Sequence, residues 1–512
     1  MFLGQLPSHA VFSVQSYHDT TNKCGGRGGW CQIKWGSGEP GARAVHPEFP
    51  NATMFWLASN HTARVPVHDF IFLHFPSLGA TFRMASILRR MPWAGRAWKP
   101  LTFSNSNFPR VPVHEKIEEE LLPDYIASRY YPVRIGQVLS DRYQIVGKLG
   151  FGASSTVWLA RDLAGRRHVA LKLFVNSKSM GSQLDNELAM YKRISRCSAK
   201  HPGRGTVREL LGSVAVAGPD GSHQCLVHAP LWESALTFLH RNPVRRLPVP
   251  VLAFVLRRLF LALDFLHTEC RIIHTGASSG TELSGDSSPR TVLRCDGVDI
   301  KADNIMFGIQ DDSVFTAFEE EEQLDPSPRK LVGDRAIYLS RQLRMPKDWG
   351  APVLCDFGSA VSGDTEHLED IQPDIYRAPE VILEAPWSYQ VDIWNAGCVI
   401  WDLFEGGHLF TGHDPEHQRY RSRAHLAEII ALLGLPPQAL LDSGRSSHKF
   451  FADQDIPLLD SIPLEDRETS LEGEHQSRVK FLAMMRKMLQ WEPSKRSSAK
   501  ALANDEWIME NM

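Results

Sequence analysis

The chain has 512 residues, room for about three domains of ~150 residues or one large two-lobed domain with extensions. Its 56 lysines and arginines against 59 aspartates and glutamates give a formal charge of −3, which excludes the overall basic excess of a nucleic-acid coat, so any charged partner is met locally. Hydrophobic residues at 43% and charged residues at 22% exclude a mostly disordered or collagen-like chain.

Residues 1–83 are rich in His, Gly, Pro and Trp with no sustained period of 2 or 3.6, the texture of a disordered tail. From Met84 to His114 the chain carries Arg89, Arg90, Arg96, Lys99 and Arg110 and no acidic residue. Transit peptides and solvated basic linkers share that composition. It turns acidic at Glu115 and Glu118 to Glu120, and residues 1–130 are expected to form a disordered extension. Cys24, Cys31, Cys197, Cys225, Cys270, Cys295, Cys355 and Cys398 form no CxxC pair, as expected of reduced thiols inside a cell.

Residues 131–231 hold β-branched and aromatic runs punctuated by glycine, at Tyr143 to Val146, Ser155 to Leu159 and His168 to Phe174. They read as hairpin strands. Residues 232–512 turn helical, with Leu252, Val255, Leu256, Leu259, Leu263 and Leu266 on one face of an amphipathic helix. Pro250, Arg257, Arg258 and Asp264 interrupt this stretch, so it falls short of the ~20 uncharged residues of a membrane span. The run Glu319 to Glu322 is expected in a solvated loop.

Leu149-Gly150-x-Gly152-x-x-Ser155-x-Val157 follows one strand and opens another, and its glycines let backbone amides approach phosphate. A Rossmann reading needs a helix next, whereas a β-branched run follows. Lys172 ends the apolar run Val169-Ala170-Leu171, suited to bringing a cation to nucleotide phosphates, and Glu187 lies on a helical pattern able to pair with it. Downstream, Ile273-His274-Thr275 precedes Asp299-Ile300-Lys301-Ala302-Asp303-Asn304, and Asp356-Phe357-Gly358 sets a carboxylate at a glycine turn suited to Mg²⁺. Tyr376-Arg377-Ala378-Pro379-Glu380, Asp392-Ile393-Trp394 with Gly397, and Arg496 complete the series.

That order of motifs over residues 133–509 resembles a eukaryotic protein kinase. Arg377 before Ala-Pro-Glu and about a hundred residues between Trp394 and Arg496 resemble the CMGC group, while His274-Thr275, Asp370-Ile371-Gln372 and the 149–159 string resemble the SR-protein kinases, particularly fungal members. The resemblance implies an α+β, bilobal fold, with a small β-rich N-lobe at 131–231 and a larger helical C-lobe at 232–512. It implies Asp299 as catalytic base, Lys301 on the γ-phosphate, the Lys172–Glu187 pair, and Mg²⁺ on Asn304 and Asp356. ATP would be held by Leu149, Gly150, Gly152, Ser155, Val157, Ala170, Lys172 and Met306, with a hinge at Ala229 to Leu231.

Ser155 stands at the usual third glycine, a feature shared with the SR-protein kinases, and Thr275 replaces an arginine that in many kinases needs a phosphate partner. Residues Gly276 to Val298 separate Thr275 from Asp299, where the family runs without interruption. This stretch reads either as a retained intron, with codons at both junctions that fit, or as a genuine insertion displacing Asp299. The spacer-like loop 307–350 and an acidic insert at about 410–475, with Asp453, Asp455, Asp460, Glu465, Asp466, Glu468, Glu472 and Glu474, are expected in the C-lobe. Such an acidic surface suits an Arg-rich substrate.

The expected activity is ATP-dependent phosphorylation of serine or threonine in Arg/Ser-rich proteins. The alternative is a kinase-like binding protein impaired by 276–298. The expected setting is a monomer in cytoplasm and nucleus without direct nucleic-acid or membrane contact, with mitochondrial targeting through 84–114 as the rival.

Overall fold

The computed structural model describes residues 97–176, 183–275, 302–451 and 459–512. Asp299, Lys301, the stretch 276–298, Asp453, Asp455 and most of the expected extension lie outside the described residues.

The β-branched and aromatic runs build a six-stranded antiparallel sheet in the order β1-β2-β3-β4-β6-β5. The strands are β1 (Val138–Leu139), β2 (Tyr143–Phe151), β3 (Ser155–Asp162), β4 (Arg167–Phe174), β5 (Leu210–Gly218) and β6 (Gly221–His228). Register fixes the faces: Val157 pairs with Lys172, Lys172 with Leu226, and Ala170 with His228, so these side chains share one face. Trp158, Leu171 and Val227 share the other. Helix α1 (Gln183–Arg196) adds Met190, Tyr191 and Ile194 to the core that holds Leu159, Phe174 and Leu226.

Ser234 caps α2 (Ala235–Arg241) by accepting the Thr237 N–H. Helix α3 (Val249–Phe265) starts with a proline in its first turn, and Leu252, Val255, Leu256, Leu259 and Leu263 are all buried, as the periodicity predicts. A short pair joins β7 (Ile272–Ile273) to β12 (Val361–Ser362), and β8 (Ile305–Ile309) pairs with β11 (Trp349–Leu354). Between β8 and β11 stand α4 (Ser313–Leu324) and the hairpin of β9 (Arg329–Val332) and β10 (Arg335–Tyr338). The longer helices that follow are α5 (Gln390–Glu405), α6 (Ser422–Leu433) and α7 (His475–Met488). Helix α5 is the core of this lobe and is buried nearly all round. Arg496 and Glu380, both fully buried, make a bidentate pair at 2.6 and 2.7 Å. No helix among the described residues is long and apolar enough to cross a membrane.

Three expectations need correction. Residues 97–130, counted with a disordered extension, lie along the sheet: the Gln144 side chain clasps both the N–H and the C=O of Leu101 at 2.8 Å, and Trp98 N–H donates to the Leu163 carbonyl at 2.9 Å. An extended segment that bonds to a sheet rather than to itself shows no period of its own. The stretch 307–350 is no loop, and Glu319 to Glu322 lie on α4, with only Glu320 of the four exposed. Glu319 pairs with Arg161 (3.0 Å) and His168 (2.8 Å), while Glu322, 1% exposed in its side chain, accepts the Ser327 N–H and faces Arg329 and Arg341. The acidic insert is partly neutralised from within: Glu468 is buried against Arg478 at 2.6 Å and Glu465 pairs with Arg486.

Candidate active site

The cleft-facing side of the sheet carries Lys172. Its Nζ lies 3.0 Å from both carboxylate oxygens of Glu187 on α1 and 3.3 Å from Oδ1 of Asp356, with 16% of the side chain exposed. Burial works against the ammonium, but Asp356 and Glu187 outweigh it and hold the Lys172 pKa above its ordinary value. Asp356 follows β11 in a left-handed conformation, φ +62°, which is uncommon outside glycine and which aspartate tolerates better than most residues. Burial opposes its charge too, yet Lys172 and the Gly358 N–H at 3.3 Å hold the carboxyl below its usual range.

Asn304 ends a single turn, Ala302–Asn304, whose neighbour Asp303 accepts from Ser234 at 3.1 Å. The Cys355 N–H donates to the Asn304 carbonyl at 2.8 Å, which sets Asn304 beside Asp356. Asp356 keeps 26% of its side chain exposed, and both its contacts are long, so its hard oxygens have coordination capacity left. On the glycine turn, Gly152 N–H bonds the Ser155 carbonyl at 2.8 Å, and a Cβ on Gly150 would meet nothing within 4 Å. Protein packing thus leaves room at Gly150 for a ligand. The Tyr130 hydroxyl donates toward the carbonyls of Gly152 and Ala153 at 3.2 and 3.1 Å, supporting the turn from behind.

Val157 and Ala170 line the same face as Lys172. Leu149 packs against the core, and Met306 on β8 bridges to Ser234. Ala229 is exposed and Leu231 half-buried in the link between the lobes, which is tied to β8 by Trp232 N–H to Phe307 O and Phe307 N–H to Glu233 O, both 2.9 Å. The residues present therefore fit a Mg²⁺-nucleotide: a fixed cation, a cradle without side chains and two adjacent oxygen-bearing residues.

A column of rings joins the lobes. His228 lies 5.0 Å from Tyr191, Tyr191 5.2 Å from Phe357, and Phe357 5.3 Å from His274. The buried Asp392 on α5 accepts the backbone N–H groups of His274 (2.9 Å) and Thr275 (3.0 Å) and pairs with His267. The Thr275 hydroxyl donates to Ser359 O at 2.7 Å, and Asn186 on α1 donates to the carbonyls of Gly358 and Ala360. The chain is thus anchored just before 276–298, at Thr275, and just after Lys301, at Asn304.

The structure brings together Lys172, Glu187, Asn304, Asp356 and the glycine turn, while Asp299 and Lys301 lie outside the described residues. Sequence reading missed the ring column, whose members are far apart along the chain. It also passed over Asp364, Glu366, Glu369 and Asp374, which with Asp370 are all exposed between Asp356 and Glu380. Five carboxylates in eleven residues were a legible signal there.

The family described as "Protein kinase domain" matches residues 345–508. A serine/threonine protein kinase of Aspergillus fumigatus is 39% identical over 438 residues, covering 83% of this chain and 98% of that protein. The serine/threonine-protein kinase SRPK of Physarum polycephalum is 29% identical over 392 residues, covering 75% and 89%. SRSF protein kinase 3 of Mus musculus is 26% identical over 516 residues, covering 76% and 90%.

Proposed function

Because this chain belongs to the SR-protein kinases, a family of serine/threonine protein kinases, we propose that its cleft transfers the γ-phosphoryl of ATP to serine or threonine in Arg/Ser-rich proteins. The observation that carries this reading is Lys172 poised between Glu187 and Asp356. Phosphoryl transfer is dominated by positioning and charge stabilisation. Lys172 is the fixed cation for the phosphates, and Glu187 holds it in place. Asp299 accepts the proton of the substrate hydroxyl, and Lys301 steadies the transferred group. Asn304 and Asp356 would hold Mg²⁺, which would supply neutralisation of phosphate charge when bound. Leu149, Gly150, Gly152, Ser155, Val157, Ala170, Ala229, Leu231 and Met306 hold the rest of the nucleotide.

Thr275 bonds the segment after Gly358 directly, through Ser359 O. No arginine stands there to await a phosphate, so activity does not depend on prior phosphorylation. The exposed carboxylates Glu366 and Glu369 present negative charge to an Arg-rich substrate. The kinase acts as a monomer in cytoplasm and nucleus, without direct nucleic-acid or membrane contact. Organellar import through 84–114 is the rival, and imaging of the tagged chain decides between them.

The purified chain with Mg-ATP should phosphorylate serine in an Arg/Ser-repeat peptide and lose this activity on chelation. The stretch 276–298 favours a second reading, a kinase-like binding protein. Deleting 276–298 joins Thr275 to Asp299 and should raise turnover at least tenfold, since even a ~1 Å misplacement costs ~100-fold. ATP binding without transfer by either form would support the second reading.

A further inference from the structure

The far end of α1 holds two groups that phosphoryl transfer does not use. Cys197, just beyond the helix, is half-buried, and its thiol lies 3.2 Å from the Arg193 carbonyl and 3.4 Å from the Glu269 carbonyl. The residue after Glu269 is Cys270, 1% exposed at the end of the turn Leu266–Cys270 that follows α3. The Cys197 thiol thus rests on the carbonyl of the residue directly before Cys270. Cys225, Cys355 and Cys398 are each buried.

We propose that Cys197 and Cys270 form a redox modification site that closes to an intramolecular disulfide and staples the end of α1 to the turn leading into β7. The oxidant is hydrogen peroxide. The Cys197 sulfur, the more exposed, attacks a peroxide oxygen: the O–O bond breaks, an S–O bond forms, and one water leaves with a thiol proton. The Cys270 sulfur then displaces that oxygen: the S–S bond forms, the S–O bond breaks, and the Cys270 proton leaves in a second water. Two electrons pass from the thiols to the peroxide. Burial holds the Cys270 thiol well above its ordinary pKa, so its proton is released only as the new bond forms.

The consequence follows from what α1 carries. Glu187 lies about three turns before Cys197, and Arg193 holds Ser362 (2.9 Å) and Asp364 (2.7 Å). The disulfide fixes the end of this helix while the Lys172–Glu187 pair is already formed at 3.0 Å. Oxidation therefore preserves turnover and raises stability, because the closed loop restricts the unfolded chain.

The full chain, treated with hydrogen peroxide and then alkylated and digested without reductant, should yield one crosslinked peptide pair containing Cys197 and Cys270, reversible by dithiothreitol. Its melting temperature should rise by about 3 °C or more, and Cys197→Ser should lose both the crosslink and the rise. A crosslink from either cysteine to any other, oxidation without a crosslink, or an equal rise in the Cys197→Ser protein would overturn the proposal. Peptide mapping of the unaltered chain decides the matter even if the variant folds poorly.

Discussion

Lys148 on β2 and Lys172 on β4 stand on one sheet, each facing glutamates from a separate part of the chain. Lys148 is sealed: its side chain is 0% exposed, and it meets Glu118 at 3.3 Å, Glu119, and the Tyr338 carbonyl at 3.2 Å. Lys172 keeps an opening to the cleft, with contacts of 3.0 and 3.3 Å. The first lysine has its charge fully consumed by protein and ties together three segments: 115–122, β2 and the β9–β10 hairpin. The second retains a field directed outward. The difference shows that a lysine serving a ligand is recognised less by having carboxylate partners than by what remains unshielded after they are counted.

The largest test of this contrast is Lys172→Arg, which keeps a cation beside Glu187 and Asp356 but displaces it from the phosphates, and which should lower kcat at least ~100-fold and leave thermal unfolding nearly unchanged. A large loss of folded protein would instead put Lys172 in the class of Lys148. The converse change, Lys148→Met, leaves two carboxylates buried and should destabilise the chain by about 3–5 kcal/mol, read as a lowered denaturant midpoint, while turnover per folded molecule stays the same. Gly147 is smaller in effect. A Cβ there would come 2.6 Å from the Phe318 ring of α4, so Gly147→Ala should cost about 1–3 kcal/mol, and adding Phe318→Ala should relieve part of that cost. The least effect is expected at the surface: Glu366→Gln with Glu369→Gln should raise KM for an Arg-rich peptide by about 2- to 5-fold, an effect that fades with salt and is absent for a neutral peptide.

Lys172, Glu187 and Asp356 were legible because each sits in a short string whose order along the chain, and whose strand or helix period, is local information. Lys148 was not, since its partners come from a segment with no period and from a hairpin about 190 residues away. The run Glu319 to Glu322 misled for a related reason. A block of like charge suggests water, but helical spacing turns Glu319 and Glu322 toward Arg161, Arg329 and Arg341 while Glu320 stays exposed. Charge alone carries no direction. The ring column from His228 to His274 joins four distant positions, and only the assembled lobes show it.

Helix α4 leaves the larger lobe after β8, lays Phe318 on Gly147 and Glu319 on Arg161 and His168, and returns through the β9–β10 hairpin to β11. The lobes thus have a second covalent crossing besides residues 229–231. A cleft with one hinge can swing widely to exchange spent nucleotide, whereas one hinged and also belted across the back opens only as far as the belt allows. Cutting the chain in the β9–β10 turn should therefore speed the departure of ADP, read as a turnover that responds less to solvent viscosity than that of the intact chain.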